Sequence, residues 1–223
     1  MTASENPGVL RLDAQGVQIW RAGQKPVSID EVAEGLRAHC IFAVPADRAR
    51  LTQIEVRSDE HRHLKKSLPF MLEDEVIDPV ESMHFSFAPI DDSHYLVALT
   101  SHAEMTSWLE QLGDQFEGPF FHEALLLPWQ PGEVCAVVEA HSVLLRWGEH
   151  QGARVESDLL APLMDALPAP PEAVIVYGGD QERDLALLPN LLQERAQWRQ
   201  GDFGTALMLV DSAQGFIDMR QGV

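Results

Sequence analysis

The first block of the chain, residues 9–56, opens with "VLRLDAQGVQIWRA", which predicts a hairpin with Gly16 at its turn. "SIDEVAEGLRAH" follows as an amphipathic helix started by Ser28 with Glu31 three residues on, and "CIFAVP" and "RARLTQIEV" read as further strands, giving a βαβ-like order. In the second block, "SLPFMLEDEVIDPVESMHFSF" places Leu68, Met71, Leu72 and Val76 on one face of a helix, with Pro69 in its first turn and Glu73, Asp74 and Glu75 on the other side. After a turn at Asp78-Pro79, Met83, Phe85 and Phe87 alternate with His84 and Ser86, the period of a half-buried strand. "HYLVALTS" is a second strand across the turn "DDS", and Met105, Trp108, Leu109 and Leu112 stripe a closing helix expected to pack on Phe85 and Phe87.

The third block, residues 119–223, repeats the logic of the first. "EVCAVVEA", "SVLLRWGEH" and "GARVES" are strands, "SDLLAPLMDAL" a helix, and "PAPP" a break. "AVIVYGG" is a strand and "DLALLPNLLQERAQ" one long helix, with an apolar "TALMLV" near the end. The outer blocks look like relatives of each other, with the middle block inserted. The expected division is a first lobe at 1–57 completed by part of 115–130, an insertion at 58–114, and a second lobe at 115–223.

Composition narrows the function. With 16 basic against 35 acidic residues the net charge is −19, which repels nucleic-acid phosphates and anionic lipid alike and excludes nucleic acid as a partner. The two cysteines, Cys40 and Cys135, sit in apolar strand-like runs, which fits a reducing compartment without a disulfide framework. "MTASENPG" lacks signal-peptide character and no window has about 18 consecutive apolar residues, so the expectation is a soluble, cytosolic chain.

Candidate chemistry is sparse. His61 and His63 in "HRHLKK" are two apart and diverge on a helix, against the i, i+4 spacing that chelates a metal. Neither a nucleophile elbow nor a G-x-x-x-x-G-K-[ST] loop is present, and Cys40 lies in a strand where a thiolate is disfavoured. Glu73, Asp74 and Glu75 fan out rather than converge as a catalytic pair. No catalytic residue, cofactor or metal is expected.

"LPFMLEDEVIDPVESMHFSF" resembles the segment that marks the L protein family of the type II (general) secretion system: Leu68, Pro69 and Phe70, the pair Leu72 and Glu73, an acidic stretch, then His84 and Phe85. "FAVPADRARLTQIEV", "MTSWLEQL", "ALLLPW" and the terminal "FIDMRQG" extend the likeness over most of the chain. The resemblance implies an α/β, actin-like architecture: two ribonuclease-H-like lobes with a small inserted α+β domain. It further implies a non-enzymatic scaffold at the cytoplasmic face of the bacterial inner membrane, cut just before a single membrane helix. The implied partners are the amino-terminal domain of the secretion ATPase (protein E), secretion proteins F and M, and a second copy in a homodimer.

Actin-like ATPases cradle phosphate on two glycine-containing hairpins. Here the first hairpin has Asp13 and Gly16 without a following hydroxyl residue, and the second has Glu139 and Ser142 without a glycine between its strands. Tyr177, Gly178 and Gly179 look like an adenosine-side Gly-Gly but read better as an ordinary turn. An actin-like ATP-binding protein and a pilus-assembly scaffold of the same fold remain the alternatives. For docking, the acidic Glu73, Asp74 and Glu75 beside the basic Arg62, Lys65 and Lys66 form the expected partner-binding face.

Overall fold

A computed structural model describes residues 8–13, 16–57, 61–207 and 216–221. Strands β1 (Val9–Asp13), β2 (Gly16–Trp20) and β3 (Val27–Ser28) form an antiparallel meander. Gly16 faces Asp13 across the ladder with φ of 107°, a conformation glycine adopts without a Cβ penalty; the hairpin tip at 14–15 lies outside the described residues. The single helix expected over 28–39 is instead a 3-10 turn, Ile29–Glu31, and a four-residue α1 (Glu34–Arg37). Ser28 Oγ accepts from Asp30 N at 3.4 Å, and the chain runs extended through Val32 and Ala33 before the helix. A β-branched residue and Gly35 both weaken a helix here. Strand β4 (Ile41–Val44) then pairs in parallel with β1.

The chain next leaves this sheet. Strand β5 (Arg50–Glu55), expected to continue the first block, pairs with β7 (His94–Ser101), which in turn pairs with β6 (Met83–Pro89). The result is a separate three-stranded sheet, order β5-β7-β6. Its first helix, α2 (Leu64–Met71), buries Leu64 and Leu68 and ends earlier than expected, so Glu73–Glu75 form a 3-10 turn. Pro69 is inside α2, not in its first turn. A proline there removes the amide that would bond the Lys65 carbonyl, which favours an early end.

The contacts of α3 (His102–Leu112) also differ from expectation. Met105, Trp108 and Leu112 pack with Phe42, Phe116 and Phe120 in a core shared with the first sheet, whereas Phe85 and Phe87 pack on the α2 side. The small sheet is covered on both faces: Val97 and Leu99 meet α2, while the alternate residues Leu96 and Ala98 join Trp108.

A three-residue β8 (Phe120–His122), too short to show a period, returns beside β4 and completes the order β3-β2-β1-β4-β8. The second sheet repeats that order. Strands β9 (Glu133–Val138), β10 (Ser142–Gly148) and β11 (Gln151–Glu156) form the meander predicted for them, and β12 (Ala173–Gly178) and β13 (Ala196–Gln200) add in parallel beyond β9. Helix α4 (Leu160–Asp165) links the meander to β12. The long helix expected over 184–197 is broken into α5 (Gln181–Ala186) and α6 (Asn190–Gln193) around Pro189, and its last residues are the strand β13. Near the end, Phe203–Leu207 form α7; the rest of "TALMLV" lies outside the described residues. Val9 and Ala43 of the first sheet meet Cys135, Val137, Ile175 and Tyr177 of the second in one core, with Phe203 of α7 among them.

Candidate functional site

Four charged side chains close the space between the lobes. Arg11 of β1 donates from Nε to Glu123 at 2.9 Å and from Nη1 to Glu139 at 2.6 Å. Arg154 of β11 donates from Nε and Nη2 to the two oxygens of Glu123, at 2.8 and 2.9 Å, and from Nη1 to Glu139. Glu123 also accepts from the Ala46 amide at 2.9 Å. Each carboxylate thus meets both guanidiniums, with Ser142 Oγ accepting from Arg154 at 2.9 Å and the Phe203 ring 4.4 Å from the Arg11 guanidinium. Burial pushes the Glu123 carboxyl up, but Arg11 and Arg154 outweigh it and hold it at about 2. Glu139 is likewise lowered against its burial by the same two cations, and Arg154 is raised against its burial by the two carboxylates.

Chemically this quartet is self-neutralising. Two cations and two anions satisfy each other, and an incoming phosphate would face the carboxylates of Glu123 and Glu139. Arg11, Glu123 and Arg154 are absent from the sequence-based site. For the two arginines the signal is a cation between apolar strand neighbours, as in Leu10-Arg11-Leu12 and Ala153-Arg154-Val155; Glu123, on a 3-10 turn, carries none.

The other nucleotide-like features have structural explanations. A Cβ on Gly178 would lie 2.0 Å from Asp184 Oδ2, so the glycine makes room for a buried carboxylate. Asp184 accepts from the Asp180 amide at 3.0 Å and from Trp198 Nε1 at 3.2 Å. Cys40 and Cys135 are buried, not joined in a disulfide, and their burial pushes the thiols up, Cys135 to about 12. Among the described residues no group of three or more His, Cys, Asp or Glu side chains is placed to hold a metal.

The six residues expected to bind a partner are all exposed on the helix–turn of the small sheet. Arg62, Lys65 and Lys66 lie at its start and Glu73, Asp74 and Glu75 at its end. Glu75 is tied to Arg50 at 2.9 Å, whereas the Glu73 and Asp74 carboxylates have no partner among the described residues. Between the two charge groups stand Phe70, 74 % exposed, and Met71, which the helical pattern had assigned to the core. Beyond Glu75, Ile77 is fully exposed at 104 % beside an open groove of about 880 Å³ between the small sheet and the second lobe.

Two of the sequence signatures meet in space. Residues 216–221 form a strap in which Ile217 and Met219 enter the core of the first lobe. The Met219 carbonyl accepts from His84 Nε2 at 2.7 Å and from Ser86 Oγ at 3.0 Å. Burial pushes the His84 imidazole below its ordinary value, and because a carbonyl can only accept, the neutral ring carries its proton on Nε2. Asp218 accepts from the Phe120 amide at 3.0 Å, Met219 N donates to the Phe120 carbonyl at 2.8 Å, and Arg220 donates to the carbonyls of Phe116 and Gly118.

Among solved structures, the chain is similar to the cytoplasmic domain of EpsL, an inner membrane component of the type II secretion system of Vibrio cholerae: TM-score 0.71 and 17% identity, covering 96% of this chain and 97% of that one. It is also similar to the PilM-PilN type IV pilus biogenesis complex, with a TM-score of 0.50 and 12% identity over 91% of this chain and 96% of that one. These likenesses support the actin-like fold. No curated protein sequence matches the chain. No helix among the described residues is long and apolar enough to cross a membrane. The family described as Type II secretion system (T2SS), protein L, matches residues 14–223, nearly the whole sequence and both lobes with the small sheet between them, and the chain belongs to that family.

Proposed function

We propose that this chain is a non-catalytic docking platform at the cytoplasmic face of the inner membrane, which holds the amino-terminal domain of the secretion ATPase and links it to secretion proteins F and M, working as a homodimer. The observation that carries the reading is the quartet of Arg11, Glu123, Glu139 and Arg154, which fills the space between the lobes with the protein's own charges. That leaves recognition at the surface as the work of the fold. The docking face is the helix–turn carrying Arg62, Lys65, Lys66, Glu73, Asp74 and Glu75, where Glu73 and Asp74 have no partner among the described residues and are available to a cation.

The test is charge reversal. Glu73→Lys with Asp74→Lys weakens binding of the ATPase amino-terminal domain and inverts its salt dependence, while the melting temperature stays within about 2 °C of wild type because both positions are exposed. Calorimetric titration at low and high salt reads both effects. Unaltered affinity in a folded variant moves the docking face elsewhere.

A further inference from the structure

The groove beside Ile77 is bounded by β5 of the small sheet and β11 of the second lobe, and it is lined by Leu51, Ile77, Met83 and Trp147 among others. Both bounding strands are the outer strands of their sheets, an arrangement that leaves main-chain groups available to an added segment. Its volume of about 880 Å³ lies near the upper end of small-molecule pockets, but it is open. The groove therefore fits a stretch of polypeptide better than a compact ligand.

Its charges decide which polypeptide. Arg48 is paired with Glu104 at 3.3 Å, Arg50 with Glu75 at 2.9 Å, and Arg154 belongs to the quartet. Every cation of the wall is therefore engaged. Among the described residues, Asp47 and Asp78 line the same groove with no side-chain partner, so its unspent charge is acidic. A fully exposed isoleucine between an acidic turn and an apolar wall has the makings of a binding anchor: burying it removes apolar surface from water, and the neighbouring acids select the partner's sign.

We propose that this groove takes a basic, apolar segment of the partner, with Ile77 as the apolar anchor and Asp47 and Asp78 as the carboxylates that receive its Lys or Arg side chains. The inference rests on the ATPase-docking reading and extends it from the charged helix–turn into the adjoining groove, with Glu75 at the boundary between them.

The probe is the amino-terminal domain of the secretion ATPase, added to this chain and to two surface variants, Ile77→Ser and the pair Asp47→Asn with Asp78→Asn. Hydrogen exchange maps the contact and calorimetry gives the affinity. The expected result is protection at 46–51, 75–78 and 151–154, an affinity loss of about tenfold or more for Ile77→Ser, and a several-fold loss with a shallower salt dependence for the double variant. Melting temperatures should match wild type, since Ile77 is fully exposed and neither aspartate has a side-chain partner among the described residues. Binding with a footprint confined to the Phe70 and Glu73–Asp74 face, and full affinity in Ile77→Ser, overturns the groove while the ATPase reading stands. If the wild-type chain does not bind the ATPase domain at all, the docking reading falls and takes this inference with it.

Discussion

Replacing Arg11 with Met leaves the Glu123 and Glu139 carboxylates facing one guanidinium, that of Arg154, in a site where the Arg11 and Glu123 side chains are 5% and 2% exposed. Removing one partner of a buried ion pair costs about 3–5 kcal/mol, because the remaining charge stays desolvated. The direction agrees with the Glu123 carboxyl, which Arg11 and Arg154 together hold at about 2 against its burial, so that removing Arg11 takes away part of what keeps it ionised. In a chain of 223 residues, where about 1 kcal/mol moves the midpoint by about 2–4 °C, Arg11→Met should melt roughly 10 °C lower at neutral pH.

The pH dependence supplies a second reading of the same interaction. A carboxyl whose folded value is depressed stabilises the protein above its unfolded value, near 4.5, and that contribution is lost as the pH falls from there toward 2. Wild-type stability should therefore drop across this window. In Arg11→Met the drop is shallower, because Glu123 has lost a cation. Adding Glu139→Gln to Arg11→Met restores charge balance and should recover part of the loss. Thermal denaturation at a series of pH values reads all three. A midpoint within about 2 °C of wild type, or parallel pH profiles for the two proteins, would refute the claim that the quartet ties the lobes together.

Trp108→Ala removes a side chain that is 1% exposed and packs 5.9 Å from the Phe42 ring, at a cost of about 3–5 kcal/mol; an unchanged thermal midpoint would show that this face of α3 is not core. Mg-ATP should give neither a saturable heat nor a rise in melting temperature up to about 1 mM, because Glu123 and Glu139 occupy the space between the lobes; micromolar binding would overturn the non-catalytic reading.

The sequence carries its local information well. Short apolar runs in "EVCAVVEA" and "SVLLRWGEH" place two strands, and the similarity of the outer blocks becomes two sheets of identical order. What it misses depends on particular competing terms. Pro189 inside an apolar period splits a predicted helix, and "AQWRQ" is too polar to be read as a strand, although it needs only the edge of β12 to form one. The stripe of α3 is visible, but which sheet it covers is not, since both offer apolar residues. The quartet was the least legible feature: Arg11 and Glu123 are 112 positions apart, and no local pattern says that a strand arginine will meet a carboxylate from beyond an inserted sheet.

The strap at 216–221 gives the fold a mechanical asymmetry. A pull applied at Arg220 is borne by hydrogen bonds to Phe116, Gly118 and Phe120 on one side and to His84 and Ser86 on the other, so the first lobe and the small sheet share the load. Those anchors sit on different elements around Met219, and shearing the strap out must break them together while dragging Ile217 and Met219 from the core. Traction at this end would therefore move the small sheet and the first lobe as one body, while the second lobe receives the displacement through the contacts between the sheets and the four charges beside them.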